Sequence, residues 1–272
     1  MPGASSPEAK ARRALLDALQ ALGAHAAAVV LIGAQAIYLH TGDAPVTLEP
    51  FTKDADLALN PAELGEHPLI EEAMTAAGFV LDPVARQPGT WLSPNGFPVD
   101  LMVPEALSGP EGRRGARIPP HGTMAARRAA GLEAAMVDRH PMRISALDPS
   151  DNRKYEISVA GPAALLVSKL HKIGERRDTP ERLLDKDAHD IYRLLVAMPT
   201  GVLAQRLSVL RRDAVAGEAT ERAVQFFADL FCREGAMGAT MAGRAEVAVG
   251  SPATVSASTA ALAADLIEAL SH

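Results

Sequence analysis

Leu15, Leu16, Leu19 and Leu22 recur at helical spacing near the start of the chain, which predicts an amphipathic helix over about residues 7 to 23. "AAVVLI" then reads as a short buried strand, and the apolar stretch after Gly33 turns helical through Tyr38. "TGDAPVTLEP" is a loop by composition, whereas in "TKDADLALN" Ala55, Leu57 and Leu59 alternate with Asp54, Asp56 and Ala58, the period of a strand, which Pro61 closes. "HPLIEEAMTAAGF" predicts a helix stopped at Gly78, followed by three short strands in "FVLDP", "TWLSP" and "FPVDLMVP". Residues 105 to 145, rich in Gly, Pro and Arg, read as a loop with a helical insert, and "YEISVAG" as a further strand. From Pro162 onward the pattern is helical, over about 162 to 177, 181 to 197, 200 to 214, 218 to 234 and 254 to 270, with "GAMGATMAG" and "GSPATVSASTA" as a flexible connection before the last helix. The fold class is therefore α/β (α+β): a mixed sheet with helices in a domain over residues 1 to 160, then an all-helical C-terminal domain over 161 to 272.

A chain of 272 residues can bury a core without a metal or disulfide staple, and its single cysteine, Cys232, excludes an internal disulfide. Cys232 is expected to be a buried apolar residue of a reduced, cytoplasmic protein. Lys10, Arg12 and Arg13 ahead of an Ala- and Leu-rich stretch superficially resemble a targeting segment. Asp17, Gln20, His25 and Gln35 interrupt that stretch, so no membrane span is expected. A net charge of −6 argues against a surface basic all over, but residues 105 to 145 carry seven arginines against four acids. They are either a solvated loop or a basic platform for a phosphate backbone.

Residues i and i+2 of a strand point the same way, so Asp54 and Asp56 project together while their neighbours face the core. Asp100 in "PVDLM" repeats the design between Val99 and Leu101. If the two strands are neighbours, three carboxylates converge, and their mutual repulsion is relieved by Mg²⁺ or Mn²⁺. Two such ions about 4 Å apart clamp a triphosphate and activate an attacking hydroxyl. Asp-x-Asp alone is equally the pattern of two solvated acids. Gly33 upstream, whose turn into a helix offers free N–H groups to a phosphate, and Asp100 downstream strengthen the metal reading.

A second cluster lies in "SKLHKIGERRDTPERLLDKDAHDIYRLL", where Lys169, Lys172 and Arg176 form a basic stripe opposite Leu165, Leu166, Leu170 and Ile173. Lys186, Asp187 and Asp190 follow on the next helix, Lys186 and Asp190 spaced as an i, i+4 pair. A solvated helix face looks the same; placed after three acids of metal-binding type, the cations supply what a triphosphate needs.

The order "LIGAQA", "TKDADL", "PVDLM", "KLHKIGERR", "DKDAHDIYRLL" resembles the AbiEii-type nucleotidyltransferase toxins of the DNA polymerase β-like superfamily, MenT-like proteins among them, over about residues 25 to 197. The resemblance implies a polymerase β-like mixed sheet followed by a helical domain. It implies transfer of a nucleotide from an NTP to an acceptor, tRNA or another RNA bound through a basic face, by a toxin paired with a cognate antitoxin. Carried over, it makes Asp54 and Asp56 metal ligands and Asp100 the third carboxylate, which helps deprotonate the acceptor. Lys169 grips the triphosphate with Lys172 and Arg176 near it, and Lys186, Asp187 and Asp190 complete the wall of the cleft. Gly33 and Ala34 form the nucleotide-binding turn, where the family usually has Gly-Ser or Gly-Gly; Pro50 stands where it tends to carry an arginine. The competing expectations are a transferase for a small acceptor such as an aminoglycoside, and a nucleotide-binding scaffold without turnover.

Overall fold

The computed structural model describes residues 6–42, 44–46, 52–109 and 114–271. Pro50 and part of the Arg-rich stretch, residues 110–113, lie outside the described residues. The chain divides into two compact units: Met1–Ala36, Phe51–Ala129 and Arg139–Ala160 form one, and Ile37–Pro50, Ala130–Asp138 and Gly161–His272 the other.

The first unit opens with α1 (Pro7–Ala21), started by Ser6, whose hydroxyl accepts the Ala9 N–H at 3.1 Å, and by Pro7 in the first turn. Its buried face holds Leu15, Leu16 and Leu19, and Leu22 is buried just beyond its end. A 3₁₀ segment, Gly23–Ala28, leads into β1 (Val29–Ile32), buried throughout. α2 (Gly33–Thr41) follows directly. β2 (Ala55–Leu59), α3 (Ile70–Ala76), β3 (Val80–Leu81), β4 (Thr90–Leu92) and β5 (Pro98–Pro104) come in the expected order, with α3 ending ahead of Gly78 at φ +82°.

Residues 105 to 145 carry more structure than a loop with a helical insert. β6 (Arg127–Ala129) pairs in parallel with β5, α4 is Glu133–Val137, and β7 (Arg139–Ser145) pairs antiparallel with β8 (Lys154–Ala160) over seven residues. β7 ends the strand order β3-β4-β5-β2-β1-β8-β7, which accounts for its composition. An edge strand tolerates Pro141 and needs few apolar residues, and only Ile144 of β7 is buried. Inside the sheet β2 runs antiparallel to β1 and parallel to β5.

The helical part of the second unit runs α5 (Pro162–Gly174), α6 (Asp185–Ala197), α7 (Thr200–Leu210), α8 (Gly217–Phe231), α9 (Met237–Arg244) and α10 (Pro252–Ala269). The expected flexible connection is instead α9 and the start of α10. Small residues there serve close packing: Gly238 lies against the Phe231 ring, Gly243 against the Pro252 carbonyl, and Ala236, Ala239 and Ala260 form one buried cluster. Thr259, buried, donates its hydroxyl to the Val255 carbonyl at 2.6 Å. Cys232 is half-buried, burial pushes its thiol up to about 11, and its S–H points at the Phe227 carbonyl. Among the described residues no helix is long and apolar enough to cross a membrane.

Two glycine substitutions test this packing. A Cβ at Gly238 overlaps the buried Phe231 ring, so Gly238→Ala is expected to lower the unfolding free energy by about 1–3 kcal/mol. A Cβ at Gly201 in α7 meets nothing within 4 Å, so Gly201→Ala is expected to raise it by about 0.5–1 kcal/mol through helix propensity. Urea unfolding of the two variants beside the wild type checks both signs.

Candidate functional site

Parallel pairing of β2 with β5 sets Asp56 opposite Asp100, and register partners on neighbouring strands project from the same face. Asp54 precedes β2 by one residue, two before Asp56. On the other side of β2, Asp56 is the register partner of Ile32, the residue before Gly33. Gly33 has φ +68°, and a Cβ there would overlap the Asp56 carboxylate. The first turn of α2 therefore lies directly against that acid, where the positive end of a helix favours negative charge.

A buried glutamine ties this turn to the acids. The Gln35 side chain donates Nε2–H to the Asp54 carbonyl at 2.9 Å and accepts Nε–H from Arg12 at 2.8 Å. Arg12 also donates Nη1–H to the Ser145 carbonyl at 3.0 Å, and burial lowers its guanidinium to about 10. Ala34 is buried beside Gly33 and leaves only backbone at the turn. The Thr52 hydroxyl donates to the Asp54 carboxylate.

Asp100 has partners on both oxygens. Oδ1 accepts the Thr90 hydroxyl at 2.7 Å, and Thr90 in turn accepts Gln87 Nε2–H at 3.0 Å. Oδ2 lies 2.7 Å from Arg127 Nη1, while Nη2 of the same guanidinium donates to Met102 Sδ at 3.0 Å. Despite its closeness, Nη1 has no hydrogen-bond partner with suitable geometry among the described residues, so the contact with Asp100 is mainly Coulombic. With these carboxylates turned to Thr52, Thr90 and Arg127, no group of three or more His, Cys, Asp or Glu among the described residues is arranged to hold a metal ion. Asp56 and Asp100 on adjacent strands, with Asp54 just ahead of β2, nevertheless carry the hard oxygen donors that Mg²⁺ and Mn²⁺ take.

In the second unit, Lys169 on α5 is buried, and its ammonium donates to Asp187 Oδ1 and Asp190 Oδ2 on α6, both at 2.7 Å. Burial pulls the ammonium down, but the two carboxylates outweigh it and hold Lys169 well above the usual lysine range. Burial likewise pushes Asp187 up, and Lys169 and Lys172 overcome this, leaving its carboxyl well below the ordinary range. Lys172 shares Asp187 Oδ1 at 2.9 Å with its side chain 37% exposed. Arg176 Nη1 donates to the Arg182 carbonyl at 3.3 Å. Lys186 Nζ stands 5.9 Å from the centroid of the Tyr38 ring, and Arg193 Cζ stands 5.5 Å from it.

The structure thus brings Gly33, Asp56 and Asp100 together, and separately Lys169, Lys172, Asp187 and Asp190. Sequence reasoning missed Thr90, Gln35 and Arg127. Thr90 carried little signal as the one polar residue of "TWL", because its register with Asp100 needs the β4–β5 pairing. Arg127 was counted only as one charge of an Arg-rich stretch. In that stretch Arg128 pairs with Glu105 at 3.3 Å and Arg139 with Glu63 at 2.6 Å, while Arg114, Arg117 and Arg143 are exposed.

Removing Lys169 leaves two buried carboxylates short of a cation, so Lys169→Met is expected to cost about 3–5 kcal/mol in urea unfolding. The lowered Asp187 carboxyl contributes stability present above the ordinary carboxylate range and lost as pH falls through its folded value. The raised Lys169 ammonium contributes stability present below the ordinary lysine range, so between about pH 5 and 9 the network is level. Urea midpoints measured downward from pH 5 are expected to fall, and to fall less steeply in Asp187→Asn.

No curated protein and no solved structure gave a match to the chain. The profile of a family described as nucleotidyltransferase matches residues 11–214, well over half of the sequence and a span that takes in both residue clusters. By that match, the chain belongs to a nucleotidyltransferase family.

Proposed function

We propose that the chain transfers a nucleotide from an NTP onto a hydroxyl of an RNA acceptor, tRNA being the first candidate, as the AbiEii-type toxin of a toxin–antitoxin pair. The observation that carries the chemistry is the pairing of Asp56 with Asp100 on one sheet face, with the glycine turn of α2 against Asp56. In this reading Asp54, Asp56 and Asp100 hold the divalent cation, Mg²⁺ or Mn²⁺, which neutralises phosphate charge when bound. Gly33 and Ala34 present backbone N–H groups to the phosphates. Asp100 accepts the proton as the acceptor oxygen bonds to the α-phosphorus and the bond to pyrophosphate breaks. Lys169, Lys172, Arg176, Lys186, Asp187 and Asp190 serve the triphosphate and base. Lys172, sharing Asp187 and more than a third exposed, is the more accessible ammonium of its cluster, whereas Lys169 would have to leave two carboxylates to reach phosphate. The exposed Arg114, Arg117 and Arg143 support an RNA acceptor over a small cationic one. A cognate antitoxin completes the reading.

Full-length protein incubated with each labelled NTP, Mg²⁺ and total RNA is expected to label RNA. Asp56→Ala is expected to lose that labelling by at least about a hundredfold, because the cation's charge and the in-line geometry go together. The half-buried Asp56 contributes little apolar packing, so the variant should remain folded. Growth arrest on expression should disappear with the same substitution. A folded Asp56→Ala chain that still labels RNA removes the enzymatic assignment, and labelling of an aminoglycoside instead of RNA moves the acceptor to a small molecule.

A further inference from the structure

Arg127 lies on β6, beside β5, with Arg127 and Met102 as register partners in the parallel pair. From there its guanidinium reaches the Asp100 carboxylate at 2.7 Å and braces its second nitrogen on Met102 Sδ. Both partners are open to solvent in part, Arg127 at 24% and Asp100 at 17% of the side chain. The contact supplies positive charge beside Asp100 without an aligned hydrogen bond from the nitrogen nearest the acid. Such a contact is held chiefly by charge, which a divalent cation facing the same carboxylate would also supply. The hydrogen bond from Thr90 is of another kind: it occupies Oδ1 and orients the carboxylate whichever cation faces Oδ2.

We propose that Arg127 is the resident counter-ion of Asp100, displaced when a divalent cation binds the acids, and that its freed guanidinium then contacts the anionic phosphates of the nucleotide or RNA acceptor. This rests on the reading of Asp54, Asp56 and Asp100 as cation ligands. Arg127 is in that sense a positioning residue: it holds the Asp100 carboxylate in place between cycles, and it sets the threshold for cation loading. A structural arginine of the same sheet would lose stability when replaced but would not improve cation binding.

Mn²⁺ binding to the full-length chain without nucleotide, followed by electron paramagnetic resonance of free Mn²⁺, separates these roles. Arg127→Met keeps the apolar stem and removes the charge, and is expected to bind Mn²⁺ about three- to tenfold more tightly than the wild type. Arg128→Met changes the net charge equally but removes a partner of Glu105, and is expected to stay within about twofold. In the Asp100→Asn background the Arg127→Met gain should vanish. Should Arg127→Met fail to fold, the wild type still decides: Mn²⁺ is expected to accelerate phenylglyoxal modification of Arg127, read by peptide mass spectrometry. Affinity unchanged or weakened in a folded Arg127→Met chain, or Arg127 modified no faster with Mn²⁺, overturns this inference while the wild type still binds the ion. No Mn²⁺ bound by either chain overturns the metal reading and this inference with it.

Discussion

Two carboxylates held side by side by parallel strands, Asp56 on β2 and Asp100 on β5, impose a charge that the surrounding structure has to answer. Much of the local architecture follows from the answer. Gly33 must lack a Cβ because the Asp56 carboxylate fills that space against the first turn of α2. Thr90 must be polar because it is the register partner of Asp100 in β4. β6 has to run close alongside β5 for Arg127 to reach the acid. Gly89 permits that approach: at φ +76° its missing Cβ would meet the Arg127 N at 2.6 Å and overlap the Leu101 carbonyl. The apolar residues between these positions, Leu57, Val99 and Leu101, are buried, so the strands cannot slip by one residue without turning the acids into the core.

Alternation made β2 and β5 legible, because a half-buried strand writes its exposed acids at every second place. The helices of the second unit were legible from their apolar stripes. β7 was not, because an edge strand with one buried residue, Ile144, and a proline carries no apolar period to read. α9 was hidden for another reason: its glycines lower helix propensity in isolation, yet they and the neighbouring alanines let it pack against α8 and α10 at short range. At the site, the acids and Gly33 were readable as chemistry, whereas their partners depend on pairings between strands distant in sequence. Arg127 meets Asp100 from 27 positions along the chain, and Thr90 meets it only through antiparallel β4–β5 pairing. The stripe of Lys169, Lys172 and Arg176 was read from helical spacing, but α5 ends at Gly174, short of Arg176, and burial of Lys169 between two carboxylates follows from the packing of α5 on α6, which a single helix does not encode.

The second unit answers its own charges differently. Lys169 is 7% exposed in its side chain, and Asp187 and Asp190 are 5% and 2% exposed, so each would be intolerable alone. Two hydrogen bonds of 2.7 Å fix the ammonium between them. Desolvation offsets much of the Coulombic gain of such a buried trio, so its main consequence is specificity: it admits one relative placement of α5 and α6 and penalises others. A 2.8 Å hydrogen bond between buried His189 and Glu246 likewise ties α6 to the residues just after α9, although burial pulls the His189 imidazole below its usual range.

These two kinds of compensation differ in what can replace them. Lys169, Asp187 and Asp190 are all sequestered and directionally bonded, so exchanging one of the three means opening the packing of two helices. At Asp100 the guanidinium is partly solvated, its near nitrogen is poorly aligned, and the orienting hydrogen bond comes from a different residue, Thr90. Asp100 is thus held by two different residues, Thr90 orienting Oδ1 by a hydrogen bond and Arg127 facing Oδ2 with charge. Acids that are to bind a ligand cation transiently need this second arrangement, because a permanent partner would compete with the ligand and no partner at all would leave the carboxylates repelling one another across the sheet.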